Sequence, residues 1–285
     1  MKEFKGKVAV ITGAASGIGR GIAEHCVQKE MKVVLADIEK AALRETEQTL
    51  LAKGGSVLAV RTDVSKASDI ENLAQKGLDA FGAVHLLFNN AGVQTRKSIW
   101  ESTLADWEWV ININLWGAIH GVRVFVPIML RQQTECYIVN TASAVGLISG
   151  SGTATYRVTK HAVVSLSETL YLELQQRNAP IGVSVLCPSF VRSRLNEADR
   201  NRPAGLRNPS SENPPTAEEQ ALERLFQEMN EGGITPERCA DLVFNAIQNN
   251  TFYILTHPEL RTAIQRRMED ILQGRNPTLP QILRR

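Results

Sequence analysis

The chain has 285 residues, 43% apolar and 22% charged, with 20 glycines and 11 prolines. That length holds one large domain or two small ones and can bury a core without metal or disulfide staples, while the composition excludes wholesale disorder, collagen and coiled coil. Thirty-two Lys and Arg against thirty Asp and Glu leave a net charge of +2, so nothing draws the whole molecule toward nucleic acid.

In chain order, strand-length runs rich in Val, Ile and Leu fall at residues 7–12, 32–36, 56–61, 85–88, 136–140, 182–186 and 251–255. Helix-length segments lie between them at 18–29, 39–53, 66–81, about 105–131 and 155–177. Seven strands separated by helices predict a parallel sheet covered on both faces, which fits the unbroken apolar character of Val8 to Ile11. One stretch breaks the rhythm. Residues 200–216 carry Pro203, Pro209, Pro214 and Pro215 and are expected to be irregular, since each proline removes a donor and restricts the residue before it. A helix is expected at 217–230, ending at Gly232-Gly233, and the whole insert 194–235 reads as a substrate lid. The domain itself is expected to end near residue 257. A tail, 258–285, carries the helical apolar stripe Leu260, Ile264, Met268 and Ile271-Leu272, expected to dock on the same domain or on a sister subunit.

Cys26, Cys136, Cys187 and Cys239 stand far apart, as suits free thiols in a reducing, cytoplasmic compartment. The five histidines have no metal-ligand spacing, so no metal is expected. The longest uninterrupted apolar run, residues 124–130, contains Pro127 and falls short of the roughly 18 residues that span a bilayer; no membrane partner is expected.

The first strand runs directly into Thr12-Gly13-Ala14-Ala15-Ser16-Gly17-Ile18-Gly19, where a helix begins. Glycines allow a tight turn and close backbone approach, so Gly13, Ser16, Gly17, Ile18 and Gly19 can seat a pyrophosphate on the helix N-terminus. Asp37 lies 18 residues beyond Gly19 at the end of the second strand. A carboxylate there accepts hydrogen bonds from ribose hydroxyls and repels a 2′-phosphate. Ile38 and Glu39 follow and supply no cation, so NAD is favoured, with NADP possible.

Tyr156 and Lys160 are four apart at the start of a helix and project from one face. A free phenol titrates near pH ~10, too high for a base at neutral pH, and a neighbouring ammonium is expected to lower it. Ser143, 13 residues upstream of Tyr156 and just past the fifth strand, can hold the oxygen of a carbonyl or alcohol beside it.

The chain resembles the compact, single-domain branch of the short-chain dehydrogenase/reductase family over about residues 5–255. The resemblance rests on Thr12-Gly13-x-x-x-Gly17-x-Gly19, Asp63-Val64, Asn89-Asn90-Ala91-Gly92, Asn114, Ser143, Tyr156-x-x-x-Lys160 and the segment at Pro188. It implies a Rossmann-type, doubly wound α/β fold and an NAD(P)-dependent oxidoreductase interconverting a secondary alcohol and a ketone. Residue by residue, it implies Tyr156 as general acid/base, Lys160 as its modulator and a ribose contact, and Ser143 as the orienting hydroxyl. Asn114 would hold a water linking Lys160 to solvent. Asp63 and Val64 would meet the adenine, Asn90, Ala91 and Gly92 the cofactor beyond the fourth strand, and Val191 the carboxamide. Where the family has Pro-Gly and a Thr four positions after that glycine, this chain has Pro188-Ser189 and Ser193, which keeps a hydroxyl for carboxamide or pyrophosphate.

Substrate walls are expected from Val93, Gln94, Val145, Leu147, Thr153, Phe190 and Leu195, mostly apolar, which favours a hydrophobic or amphipathic small molecule. Arg192 and Arg194 are the features that would favour an anion instead. In relatives the long helix and the Tyr156 helix form a four-helix interface; with the stripe Val163, Leu166, Leu170 and Leu174 this implies a homodimer or homotetramer. A catalytically silent, cofactor-sensing regulator on the same fold is the alternative, and the intact Asn114, Ser143, Tyr156 and Lys160 argue against it. The dehalogenase offshoot with arginine for lysine is disfavoured by Lys160, and the longer epimerase branch by the glycine spacing.

Overall fold

Five consecutive buried residues make β1 (Val8–Thr12), and its neighbours on either side are as dry. The structure, a computed structural model, describes residues 1–209 and 217–279. β1 is followed by β2 (Lys32–Asp37), β3 (Ser56–Arg61), β4 (Leu86–Asn89), β5 (Cys136–Thr141), β6 (Ile181–Cys187) and β7 (Tyr253–Leu255). They form one seven-stranded sheet in the order β3-β2-β1-β4-β5-β6-β7, with every pair parallel. The order reverses between β1 and β4, so the loops leaving their carboxyl ends diverge and open a crevice.

Helices cover both faces: α1 (Gly17–Gln28), α2 (Lys40–Ala52), α3 (Ala67–Phe81), α4 (Leu104–Ile111), α5 (Gly117–Gln132), α6 (Ala154–Gln176), α7 (Ala217–Glu231), α8 (Pro236–Asn249) and α9 (Leu260–Leu272). Alternation along a strand sends Ala9 and Ile11 to the side of Ile22, Cys26, Val243 and Phe244, and Val8 and Val10 to the side of Leu73, Phe125, Met129 and Leu170. Each of the larger side chains contributes about 1.5–3 kcal/mol by leaving water. With both faces dry, the strands have no polar alternation to show.

Three expectations are corrected. The long helix at 105–131 is two α-helices joined by a π-helical turn, Asn112–Trp116, in one helical rod from Leu104 to Gln132. The rod has a mean hydropathy of 1.4 in its most apolar window, matching a membrane span in length and composition alone, but Phe125, Ile128 and Met129 are buried on the sheet. Second, α8 is a helix the strand–helix rhythm did not anticipate: Thr235 caps it by accepting from the Arg238 N–H, Pro236 opens it, and Cys239, Ala240, Val243, Phe244 and Ile247 are buried. Third, the stretch 200–216, expected to be irregular, holds the end of a 3-10 segment, Leu195–Asn201, and a short 3-10 turn, Ala204–Leu206, starting behind Pro203, whose fixed φ opens a turn instead of blocking one. The rest of that stretch, 210–216, lies outside the described residues. In α9 only Leu260 of the apolar stripe is buried, while Met268, Ile271 and Leu272 are exposed.

Candidate active site

The loops leaving β1 and β4 are stitched to each other by one hydroxyl and one amide. Thr12 Oγ1 accepts from the N–H groups of Asn90 (2.9 Å) and Ala91 (3.1 Å), and Asn90 Nδ2 donates to the carbonyls of Thr12 (3.1 Å) and Gly13 (3.3 Å). Two glycines of this turn admit no side chain. A Cβ on Gly19 would lie 2.1 Å from the Gly13 carbonyl oxygen, and Gly17, at φ +51°, would place one 2.8 Å from Ser193 Cβ. The turn therefore presents bare backbone, and Ser16 makes no side-chain capping bond to the first turn of α1. Those free N–H groups suit a pyrophosphate.

At the end of β2, Asp37 accepts from the N–H of Ala15 (Oδ2, 3.0 Å) and of Glu39 (Oδ1, 3.0 Å). Burial nevertheless raises its pKa against those bonds. Each oxygen keeps a lone pair for a ribose hydroxyl.

The other end of the crevice is built by β5 and α6. Lys160 is buried, its Nζ donates to the Thr141 carbonyl (2.7 Å), and it stands 5.4 Å from the centre of the Tyr156 ring. Burial lowers the Lys160 ammonium to about 8 and pushes the Tyr156 phenol up to about 12, with only the Ser143 hydroxyl opposing the latter. Desolvation is thus the largest influence on the Tyr156 phenol, and it acts opposite to the depression expected from the lysine. Ser143 Oγ donates to the Pro188 carbonyl (3.3 Å) and accepts from the Val145 N–H (3.4 Å). Asn114 sits in the π-helical turn, a geometry that recurs at functional sites. Its amide is committed: Oδ1 accepts from the Val93 N–H (2.8 Å), and Nδ2 donates to the Val93 carbonyl (2.9 Å) and to Thr159 Oγ1 (3.2 Å). The side chain thus pins the segment after β4 next to Lys160.

One cavity joins these ends. Of the expected cofactor residues it is lined by Gly13, Ser16, Gly17, Ile18, Asp37, Asp63, Val64, Asn90, Ala91, Gly92, Tyr156, Lys160, Pro188, Val191 and Ser193; Ser143, Val93 and Leu195 line it as well. Gly19 does not line it and acts through close packing. Asn114 lies behind it, lining a small adjoining pocket. Gln94, Val145, Leu147, Thr153 and Phe190 are not among its walls. Gln94 is tied to Asn196 (3.0 Å), Phe190 meets Phe226 of α7 at 6.4 Å, and Thr153 is a buried αL residue at the start of α6, φ +45°. Asp63 spends one oxygen on the N–H and hydroxyl of Ser65.

The short chain dehydrogenase family profile matches residues 7–204. The chain belongs to the short-chain dehydrogenase/reductase family. A short-chain dehydrogenase/reductase from Burkholderia phymatum, solved in complex with NAD, is similar over 98% of this chain and 99% of its own, at 49% identity and a TM-score of 0.94. The CLA biosynthesis dehydrogenase/reductase of Lactiplantibacillus plantarum is 37% identical over 280 residues, 97% of each chain. The 1-deoxy-11-beta-hydroxypentalenate dehydrogenase of Streptomyces avermitilis is 31% identical over 92% of this chain and 89% of that protein. This short-chain dehydrogenase/reductase is therefore an oxidoreductase with a nicotinamide-dinucleotide cavity, and bare glycine turn, ribose-end carboxylate and lysine wall fit that group.

Sequence reasoning missed several working residues of this family member. Thr12 and Thr141 act through a hydroxyl and a carbonyl that no motif spacing reveals. Glu39, read only as a non-cation, meets Arg200 and Asn201 of the 3-10 segment Leu195–Asn201 and lies 3.7 Å from Arg194. Arg202 is buried against Asp106 (2.7 Å) and over the Trp109 ring. These contacts join residues about 100–160 positions apart, beyond any local pattern.

Proposed function

We propose that this protein is an NAD-dependent alcohol dehydrogenase or ketone reductase acting on a secondary alcohol or the matching ketone. The reading is carried by one observation: Ser143, Tyr156 and Lys160 meet on one wall of the cavity whose far end is Asp37. Bound there, a nicotinamide dinucleotide supplies the hydride acceptor or donor. The backbone N–H groups at Gly17 to Gly19 hold the pyrophosphate, and Asp37 accepts from the ribose hydroxyls while repelling a 2′-phosphate. Ser143 orients the substrate oxygen. Tyr156 gives that oxygen its proton in reduction and takes it in oxidation, while Lys160 donates to a ribose hydroxyl and offers positive charge to the phenolate.

The substrate we assign is hydrophobic or amphipathic. Val93, Leu195 and Ala198 line the cavity beside Ser143 and Tyr156, and one relative's name is that of a hydroxypentalenate dehydrogenase. The chain works as a homodimer or homotetramer in a reducing, cytoplasmic setting, where its four free, buried cysteines are stable. The deciding assay follows cofactor reduction with NAD and NADP over a panel of secondary alcohols. Tyr156→Phe removes turnover by at least ~10²-fold while dinucleotide binding persists, and Asp37→Ala relaxes the preference for NAD. Full activity in Tyr156→Phe would end this assignment.

A further inference from the structure

The ribose end of the cavity holds more charge than the second strand supplies. Glu39, one residue beyond the Asp37-Ile38 pair, is largely buried under the lid, and its Oε1 accepts from Arg200 Nε (2.9 Å), Arg200 Nη2 (2.6 Å) and Asn201 Nδ2 (2.9 Å). Arg194 Nη1 stands 3.7 Å from its Oε2. The remaining Arg200 nitrogen, Nη1, donates to the carbonyls of Arg194 (2.8 Å) and Glu197 (2.9 Å). Four of the five guanidinium N–H groups are thus engaged. Asp37, Glu39, Arg194 and Arg200 all line the same cavity, and Glu39 is tied to Asp37 through its N–H. Burial works against the Glu39 carboxylate, but the bonds from Arg200 and Asn201 and the charges of Arg200 and Arg194 hold its pKa below the usual value.

Two cations therefore line the ribose end of the cavity with Asp37; Glu39 holds Arg200 directly and stands 3.7 Å from Arg194, whose Nε is also paired with Glu197 (2.9 Å). We infer that Glu39 is a second cofactor-selecting residue, which sequesters the lid arginines Arg194 and Arg200 in ion pairs and so withholds them from a 2′-phosphate. The inference rests on the reading of this cavity as an NAD site with Asp37 at the ribose. Asp37 repels the phosphate directly. Glu39 acts by competition, because a phosphate gains the Arg200 Nε–Nη2 edge only by displacing a carboxylate whose Oε1 already accepts from both of those nitrogens. The same pairs close the lid turn Leu195–Asn201 over the adenosine end, so selectivity and lid closure share one carboxylate.

The test is a fluorescence titration of NADH and NADPH into the whole purified protein, which reads binding without turnover. Glu39→Gln keeps the volume and one acceptor but removes the charge, freeing the arginines. It lowers the ratio of the NADPH to the NADH Kd by about tenfold, the scale of one charge-assisted hydrogen bond. Arg200→Gln alone leaves Glu39 bare and moves the ratio the other way. Glu39→Gln/Arg200→Gln loses most of the gain. An unchanged ratio in Glu39→Gln, or a gain that survives in full without Arg200, overturns the inference while the NAD assignment stands. Wild-type protein that binds NADPH as tightly as NADH, or binds neither, overturns both.

Discussion

A phenol held near 12 and an ammonium brought to about 8 set opposite demands on the two directions of reaction. Ketone reduction needs a protonated Tyr156, which burial supplies throughout the neutral range. Alcohol oxidation needs the phenolate, which burial opposes, so oxidative kcat/KM rises steadily from pH 7 to 10 while reductive kcat/KM stays flat or falls. Parallel pH profiles in the two directions check this; an oxidative profile that peaks near neutrality contradicts it. The identity of these groups was legible in the sequence, because Tyr156 and Lys160 share a face at i and i+4, and Asp37 follows the glycine turn at a fixed distance. Their protonation was not, because it depends on how dry β5 and α6 make the cavity wall, a property of packing that no spacing encodes. The same limit hid the cations at the ribose end: Arg200 reaches Glu39 from 161 positions along the chain.

Between elements, the most consequential joint is Asp106 on α4, fully buried with three donors, Thr103 N–H (2.9 Å), Asn208 Nδ2 (2.8 Å) and Lys97 Nζ (3.1 Å), and an ion pair to Arg202 Nη2 (2.7 Å). Burial opposes the charged form, yet these partners hold the carboxyl far below its usual range. Asp106 ties the start of α4 to the segment after β6 through Arg202 and Asn208, just as Glu39 ties the cavity side of that segment through Arg200. Asp106→Asn leaves the buried Arg202 with only the exposed Asp199, 3.5 Å away, as counter-charge and costs about 3 kcal/mol at neutral pH. A carboxylate with a depressed folded pKa contributes stability above its unfolded value near ~3.9 and loses it as pH falls toward the folded one. The gap between wild type and Asp106→Asn therefore narrows on acidification below about pH 4, which paired denaturant melts at pH 7 and pH 3 check. A gap unchanged by acid would mean that the carboxylate's charge carries none of the stability. The capping box at Thr103 and Asp106 opens α4, yet the sequence reading ran 105–131 as one helix. The π turn inside the rod keeps helical periodicity nearly intact, so only the Asn114 contacts to Val93 and Thr159 reveal it. α8 had its signals in plain view, Thr235-Pro236-Glu237 before an apolar stripe, but they were masked by the glycine pair that closes α7.

For the molecule as a whole, the apolar stripe that the sequence offered as a subunit contact points elsewhere. Val163, Leu170 and Leu174 are buried within the chain's own core, because α6 packs its long face on β5 and β6. The residues of α6 left outside are Val158 and Leu172, 49% and 59% exposed, and the adjoining rod leaves Trp116 46% exposed beside His120. Burial of these side chains between copies would contribute about 25 cal/mol per Å² of apolar surface covered. Light scattering at micromolar concentration gives a multiple of the chain mass for the wild type, and Trp116→Glu with Leu172→Glu shifts the population toward monomer with the far-ultraviolet spectrum unchanged. A wild-type monomer under those conditions removes the interface; a variant that stays assembled places it on other residues, of which Trp100 and Leu104, 82% and 87% exposed at the entry to α4, are the next to substitute. Because α6 also carries Tyr156 and Lys160, assembly on its outer face would brace the helix that positions the proton donor, so the monomeric variant should lose turnover more than it loses dinucleotide binding.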